Sequence, residues 1–309
     1  MKNMNSEEYV QDEVDLAVLF KALFQGKWII ISFTSIASII VVIYSLSLPN
    51  IYKAEALLVP LSSNDNVGGN LQDIGGLASL AGISLGDSVD MSAIAIEKLH
   101  SLSFFEEKIL PQINLPDLMA VKSWNPSSNL ITYDEEIYDA STQTWTREIT
   151  PLQTPQPSAQ ESFIAFMEHV GGLKDLKTTF VTIFAKHQSP FIAKEWADLV
   201  IRELNSFYRE KDKTEAMYAV DYLNKQLSET RLSEVKLVIS EVLAQQIQTL
   251  SLIEANENYV FDFIDPPVVK EKKSEPRRAI ICIVGALLGG FLGAIVALFR
   301  FFKPFRTNN

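Results

Sequence analysis

The sequence predicts an α+β membrane protein in which two transmembrane helices flank an α/β base domain that carries a long projecting helical arm. Three observations predict it. Residues 28–48 and 279–299 contain no Lys, Arg, Asp or Glu, although the rest of the chain holds 65 charged residues. A 75-residue run, 191–265, contains neither Gly nor Pro. Strand-like segments border the region between the two charge-free stretches at both of its ends.

Each charge-free stretch has about the roughly 20 apolar residues that cross a bilayer as a helix. The chain of 309 residues therefore divides into a head (1–27), a first span (28–48), a middle (49–278), a second span (279–299) and a tail (300–309). Trp28 and Tyr44 lie near the ends of the first span, where amphipathic rings favour the headgroup zone. That span lacks a small-residue cleavage site and follows an acidic preface, which argues against a removed signal peptide. Lys21 and Lys27 precede it, with only Lys53 close behind.

The first span usually sets orientation, and long loops cross largely regardless of charge. Lys270, Lys272, Lys273, Arg277 and Arg278 before the second span argue the opposite way, whereas Arg300, Lys303 and Arg306 in the tail agree with the first span. Head and tail are expected in the cytoplasm and the middle outside it, which in a bacterium means the periplasm. A sensor with a cytoplasmic output module does not fit a ten-residue tail. A nucleic-acid partner does not fit either. The formal charge is −11, and an acidic middle repels phosphates instead of releasing their counterions. The only cysteine, Cys282, sits in the second span, so no intramolecular disulfide is available.

After the first span, Tyr52 to Val59 alternates and stops at Pro60, as a strand does. Residues 62–90 hold six of the thirteen glycines but no phosphate-cradling pattern, and the apolar run Leu77 to Ala81 suits a loop that packs. Asp90 can cap a helix running through Ile94, Ile96 and Leu99 to about Leu110, stopped by Pro111. Residues 122–157 show weak periodicity and are expected to be an irregular surface segment. Ser158 and Glu161 form a capping box that opens a helix from Ser162 to Val170, closed by Gly171 and Gly172. Lys177 to Lys186 alternates as a second strand.

The long run then repeats apolar residues every three or four positions, from Trp196, Leu199 and Leu204 to Ile247 and Leu250. Unbroken, about 60 such residues would reach roughly 90 Å. The second span must start at the membrane face where the first ended, so the arm, about 190–258, is expected to turn back at the polar segment Ser228–Glu234. A third strand, Tyr259 to Ile264, ends at Pro266 and Pro267, and pairing it with the first would build the base.

Motifs for chemistry do not assemble. His100, His169 and His187 are far apart, without metal-ligand spacing. No nucleophile elbow or zincin motif occurs. Asp134, Glu135, Glu136 and Asp139 read as solvated surface. The sequence thus offers no catalytic residue, metal ligand or cofactor site. The second span offers a different signal. Gly285, Gly289 and Gly293 repeat at four-residue spacing with Gly290 beside them, a small face that lets membrane helices approach closely. These four glycines are the candidate packing or partner-contact residues. Pro266, Pro267 and Pro276 stiffen the approach to the membrane.

Taken together, these residues resemble the Wzz-type polysaccharide co-polymerases, the chain-length determinants of bacterial O-antigen and related glycans. The likeness rests on Val14 to Phe20 ahead of Gly26-Lys27-Trp28, Tyr52 to Ala56, Gly75 to Gly82, and Tyr133-Asp134 with Ile137 to Asp139 and Trp145. It continues through Ser189-Pro190, Ala193-Lys194 and Trp196, then Ile264 to Val269, Pro276 and the glycines of the second span. Lys270 stands where the family often has a further proline.

The resemblance implies a non-catalytic protein of the bacterial inner membrane with an α/β base and a long arm. It implies ring-like homo-oligomers, often octamers, that set the modal length of glycan made by a Wzy-type polymerase on undecaprenyl-diphosphate carriers. A tail without tyrosine or a Walker lysine points to the lipopolysaccharide branch. The alternative is a co-polymerase for capsule, exopolysaccharide or enterobacterial common antigen. A membrane-anchored glycan hydrolase is the rival from another class, and no motif supports it.

Overall fold

The computed structural model describes residues 16–61 and 91–302. The glycine-rich stretch 62–90, including the Asp90 cap and the apolar run from Leu77, lies outside the described residues. So do Val14, Asp15 and the tail beyond Phe302.

In chain order the helices are α1 (Leu16–Gln25), α2 (Lys27–Ser47), α3 (Met91–Leu99), α4 (Leu102–Phe104), α5 (Leu115–Met119), α6 (Ala159–His169), α7 (Pro190–Glu229), α8 (Ser233–Ala255) and α9 (Arg278–Phe302). The strands are β1 (Tyr52–Pro60), β2 (Val121–Asn125), β3 (Leu130–Tyr133), β4 (Tyr138–Asp139), β5 (Thr144–Trp145), β6 (Val170–Lys174), β7 (Val181–His187) and β8 (Phe261–Asp265). They fall into two compact units, 1–50 with 274–309, and 51–273.

The first unit holds α1, α2 and α9. Both α2 and α9 are long and apolar enough to cross a membrane, and only 6% and 17% of their most apolar windows are buried. A core helix of a water-soluble domain would be mostly covered. Here Ile39, Ile43, Leu287 and Phe291 stay more than half exposed, a surface that water penalises and lipid does not. α1 was not anticipated within the head.

The second unit is built on a four-stranded antiparallel sheet in the order β6-β7-β1-β8. The strand after the first apolar stretch thus does pair with the strand before the second, Leu58 opposite Phe263 and Pro60 opposite Phe261. Ala54, Ala56 and Leu58 of β1 and Val181, Ile183 and Ala185 of β7 turn one face inward. The root of α7 covers that face with Ala193, Trp196, Ala197, Val200 and Leu204. Ser189 precedes α7 and Pro190 opens it, where a proline's missing N–H costs nothing.

α7 runs for 40 residues and α8 for 23, with the reversal at 230–232, inside the polar segment expected to turn. Lys213 and Glu254 bridge the two helices at 2.8 Å, and Ala216 and Ile253 are buried between them.

Four local expectations need correction. The helix expected to reach Leu110 ends at Leu99. The chain resumes as α4, followed by a π-helical turn over Phe105–Ile109 and a 3-10 turn over Leu110–Gln112. Adjacent Phe104 and Phe105, where the π-helical turn begins, both lie in the core. Residues 122–157 are not wholly irregular, because β2–β3 and β4–β5 form short antiparallel hairpins. The capping box is present, but α6 begins at Ala159, the position after the cap, and Val170 already belongs to β6. Gly171 and Gly172 do not close α6; they lie within β6. A Cβ on Gly171 would come within 2.7 Å of the tip of the Phe184 ring across the pair, so a larger residue there would make that ring move.

Candidate functional site

The glycines of α9 face α2 of the same chain. A Cβ on Gly289 would lie 2.4 Å from the Ala37 methyl, one on Gly285 2.4 Å from Val41, and one on Gly293 2.8 Å from the Ile30 backbone. Gly290 faces Thr34, and Gly26 meets Ala297 in the reciprocal arrangement. Partner numbers fall along α2 as they rise along α9, so the two helices are antiparallel. Small residues on both sides let the backbones approach, which is how membrane helices gain packing energy in the absence of a hydrophobic drive. The face that the four glycines present is filled from within the chain. The hydroxyl of Thr34 is satisfied by its own helix, donating to the Ile30 carbonyl at 2.8 Å.

Arg278 closes the other end of this seam. Its Nε donates to the Ser45 carbonyl at 3.0 Å, and an Nη donates to the Leu48 carbonyl and Asn50 Oδ1. These are the last carbonyls of α2, which lack intrahelical partners and carry the negative end of its dipole. The three candidate prolines are divided between the units. Pro266 and the buried Pro267 follow β8 in the second unit, whereas Pro276 lies in the first and its carbonyl accepts from the Arg278 N–H.

At the root of the arm, buried Asn205 of α7 holds the start of β8. Its Oδ1 accepts from the N–H groups of Tyr259, Val260 and Phe261, and its Nδ2 donates to the Phe261 carbonyl. Tyr259 then donates its hydroxyl to Asp212 of α7 at 2.6 Å; burial, and after it this hydrogen bond, pushes the phenol up from its ordinary value. Neither contact is visible in the sequence, because Tyr259 lies 47 or more positions from its partners.

His187 ends β7 and ties it to two neighbours. Its Nδ1 accepts from the Ser189 N–H at 2.9 Å, so the proton sits on Nε2, which donates to the Asp117 carbonyl of α5 at 2.9 Å. His169 lies 6.5 Å away ring to ring, and the Trp196 ring lies within 6 Å of both imidazoles. The two histidines are therefore not remote, as their sequence separation suggested; the pairing of β6 with β7 brings them together. Burial pushes both imidazoles below their ordinary value. His100 is elsewhere, bonded to the Ile96 carbonyl of its own helix.

The surface carboxylates serve turns. Asp139 accepts from the Ser141 hydroxyl and from the Ser141 and Thr142 backbone, which brings it down to about 2. Asp134 pairs loosely with Lys122 and accepts from the Glu136 N–H. Glu161 completes the capping box with Ser158 and takes two hydrogen bonds from Arg147, which also donates to the Thr154 and Pro155 carbonyls. Among the described residues, no group of three or more His, Cys, Asp or Glu side chains could hold a metal. The geometry provides a close-packed helical hairpin in one unit, and two long antiparallel helices rooted on the sheet in the other.

Residues 12–109 match the family model described as Wzz, chain length determinant protein, the family that the sequence resembles. No curated protein matches the chain. A solved structure titled full-length bacterial polysaccharide co-polymerase is similar at TM-score 0.39 and 12% identity, covering 96% of this chain and 99% of that one. A second, titled as a fragment of WzzB, polysaccharide co-polymerase from Salmonella Typhimurium, is similar at TM-score 0.31 and 12% identity, covering 73% of this chain and 100% of that one. Both scores are too low to carry function across.

Proposed function

We propose that this chain is a non-catalytic polysaccharide co-polymerase that regulates the modal chain length of lipopolysaccharide O-antigen made by a Wzy-type polymerase. The observation that carries the reading is the match of residues 12–109 to the chain-length-determinant family. The helices α2 and α9 anchor it in the bacterial inner membrane with both termini cytoplasmic, and the unit 51–273 is periplasmic. The arm works in a ring-like homo-oligomer, with an octamer as the expected form, beside the polymerase and its undecaprenyl-diphosphate-linked glycan. Supporting self-assembly, Val235, Val238 and Val242 form an exposed stripe at helical spacing on α8 that this copy leaves uncovered.

Deleting the gene and resolving surface polysaccharide on a gel tests this. The expected result is loss of the modal cluster of lengths with short chains retained. An unchanged ladder contradicts the proposal. Loss of a secreted polymer with the lipopolysaccharide ladder intact would replace it with the exopolysaccharide alternative.

A further inference from the structure

At the end of the α2–α9 seam opposite Arg278, a cleft of about 370 Å³ opens between α1, the start of α2 and the last turns of α9. Its floor is Ala22, Gly26, Ile29 and Ala297, small or apolar; its rim is Gln25, Arg300 and Phe301. The floor is close-packed, with Ala22 and Ala297 almost fully buried. Arg300 is exposed, and among the described residues it has no hydrogen-bond or ion-pair partner. α1 and α2 meet here across Gly26, whose N–H donates to the Ala22 carbonyl and whose own carbonyl accepts from the Ile29 and Ile30 N–H groups. Arg300 also offsets the negative end of α9, in whose last turn it lies. At neighbouring sequence positions, Phe24, Trp28 and Phe299 expose about three-quarters of their surface, and the Lys27 ammonium stands 5.6 Å from the Phe24 ring centre. Exposed aromatic rings and cations at the end of a membrane helix mark the headgroup level.

An apolar floor with an unpaired cation on its rim, at that depth, has the chemistry of a site for one kind of molecule. The acyl-glycerol part covers the floor and a phosphate oxygen meets the guanidinium, which can bind it through two N–H groups. Basic pockets between membrane helices hold anionic headgroups in this way. We propose that this cleft binds an anionic glycerophospholipid of the bilayer, with Arg300 as the phosphate-binding residue and Gln25 as its polar neighbour. The proposal rests on α2 and α9 spanning the membrane and is independent of the polysaccharide reading.

The test uses the full chain purified in a neutral detergent and stripped of lipid. Phosphatidylglycerol or phosphatidylcholine is added at equal mole fraction, and retained lipid is read by native mass spectrometry alongside the thermal midpoint. Wild type should retain and be stabilised by phosphatidylglycerol in preference to phosphatidylcholine. Arg300→Gln should weaken phosphatidylglycerol retention about fivefold, and Arg300→Lys, which keeps the charge but loses the two-N–H fork, should fall between it and wild type. Equal retention of the two lipids by wild type overturns the proposal. So does full phosphatidylglycerol retention by Arg300→Gln, or retention of added undecaprenyl diphosphate alone. If Arg300→Gln fails to fold, the wild-type preference together with Arg300→Lys still decides. A chain that stays dispersed without detergent would instead contradict the two spans on which the proposal rests.

Discussion

Asn205 holds the backbone of Phe261 from both sides, accepting from its N–H at 2.9 Å and donating to its carbonyl at 3.0 Å. The same carboxamide oxygen accepts from the Val260 N–H at 2.8 Å, and all three residues are buried. One side chain thus fixes where the chain leaves the arm and enters the sheet. Alanine at this position leaves buried N–H groups with no acceptor, each costing roughly 1–3 kcal/mol. Asn205→Ala should therefore destabilise the protein by about 3 kcal/mol and speed amide exchange at Val260 and Phe261. Denaturant unfolding with residue-resolved exchange measures both, and a loss below about 0.5 kcal/mol, within the range of ordinary surface substitutions, would refute this role.

The seam between α2 and α9 has no room at Gly289. Gly289→Leu should force the helices apart at Ala37, because its Cβ alone would overlap the Ala37 methyl. Spin labels at exposed Ile39 and Leu287 should report a longer or broader distance distribution in the variant. An unchanged distribution would show that the glycine is merely tolerated.

Acid should loosen the root of the arm. His169 and His187 have folded values pushed below their ordinary 6.5, chiefly by burial. The neutral forms are thus favoured by folding, and the stability they contribute is fully present above pH 6.5 and lost as pH falls through the folded values. For His187, a proton on Nδ1 would also meet the Ser189 N–H that Nδ1 now accepts from. Neighbouring Lys186 adds positive charge near His169, whereas Glu168 and Asp117 oppose the shift in part. The thermal midpoint should fall with pH below 6.5, less steeply in His169→Gln/His187→Gln. Imidazole titration of His187 by NMR with a midpoint at or above 6.5 would contradict the account.

Arg147 straps residues 147–157 to the start of α6. Its hydrogen bonds, with the Ser158 N–H, hold Glu161 at about 2. That contribution is in place above the ordinary carboxylate value of 4.5 and is lost only as pH falls through about 2, so the strap should survive mild acid that affects the histidines. Arg147→Ala should free the segment and raise its rate of proteolytic nicking several-fold at neutral pH, as exposed, untethered loops permit. Equal nicking rates would show that the strap does not hold.

The large features were legible because each depends on a long, redundant pattern. Twenty-one residues without a charge make a long apolar helix recognisable, and 75 without Gly or Pro make the long helices α7 and α8 so. Features that depend on a remote partner were not legible. Asn205 in a helix looks like a solvent-facing residue until Phe261, 56 positions on, is brought beside it. Gly171 and Gly172 read as a helix stop because their neighbours are remote in sequence: Phe184 across the strand pair for Gly171, and Ile96 of α3 for Gly172. His169 and His187 looked unrelated for the same reason. The glycines of α9 were visible as a small face, but Gly26, just before α2, and Ala37 and Ser45 on it gained meaning only from the antiparallel register. Strands as short as Thr144–Trp145 carry too few residues to show alternation.

The most direct measurement is reconstituted polymerisation in liposomes, with purified polymerase and lipid-linked repeat units, in the presence and absence of this chain. The account predicts a broad product distribution from the polymerase alone, a distribution gathered around one length when the chain is added, and no product from the chain by itself. Product made without polymerase, or a distribution that the chain leaves unaltered, would contradict it.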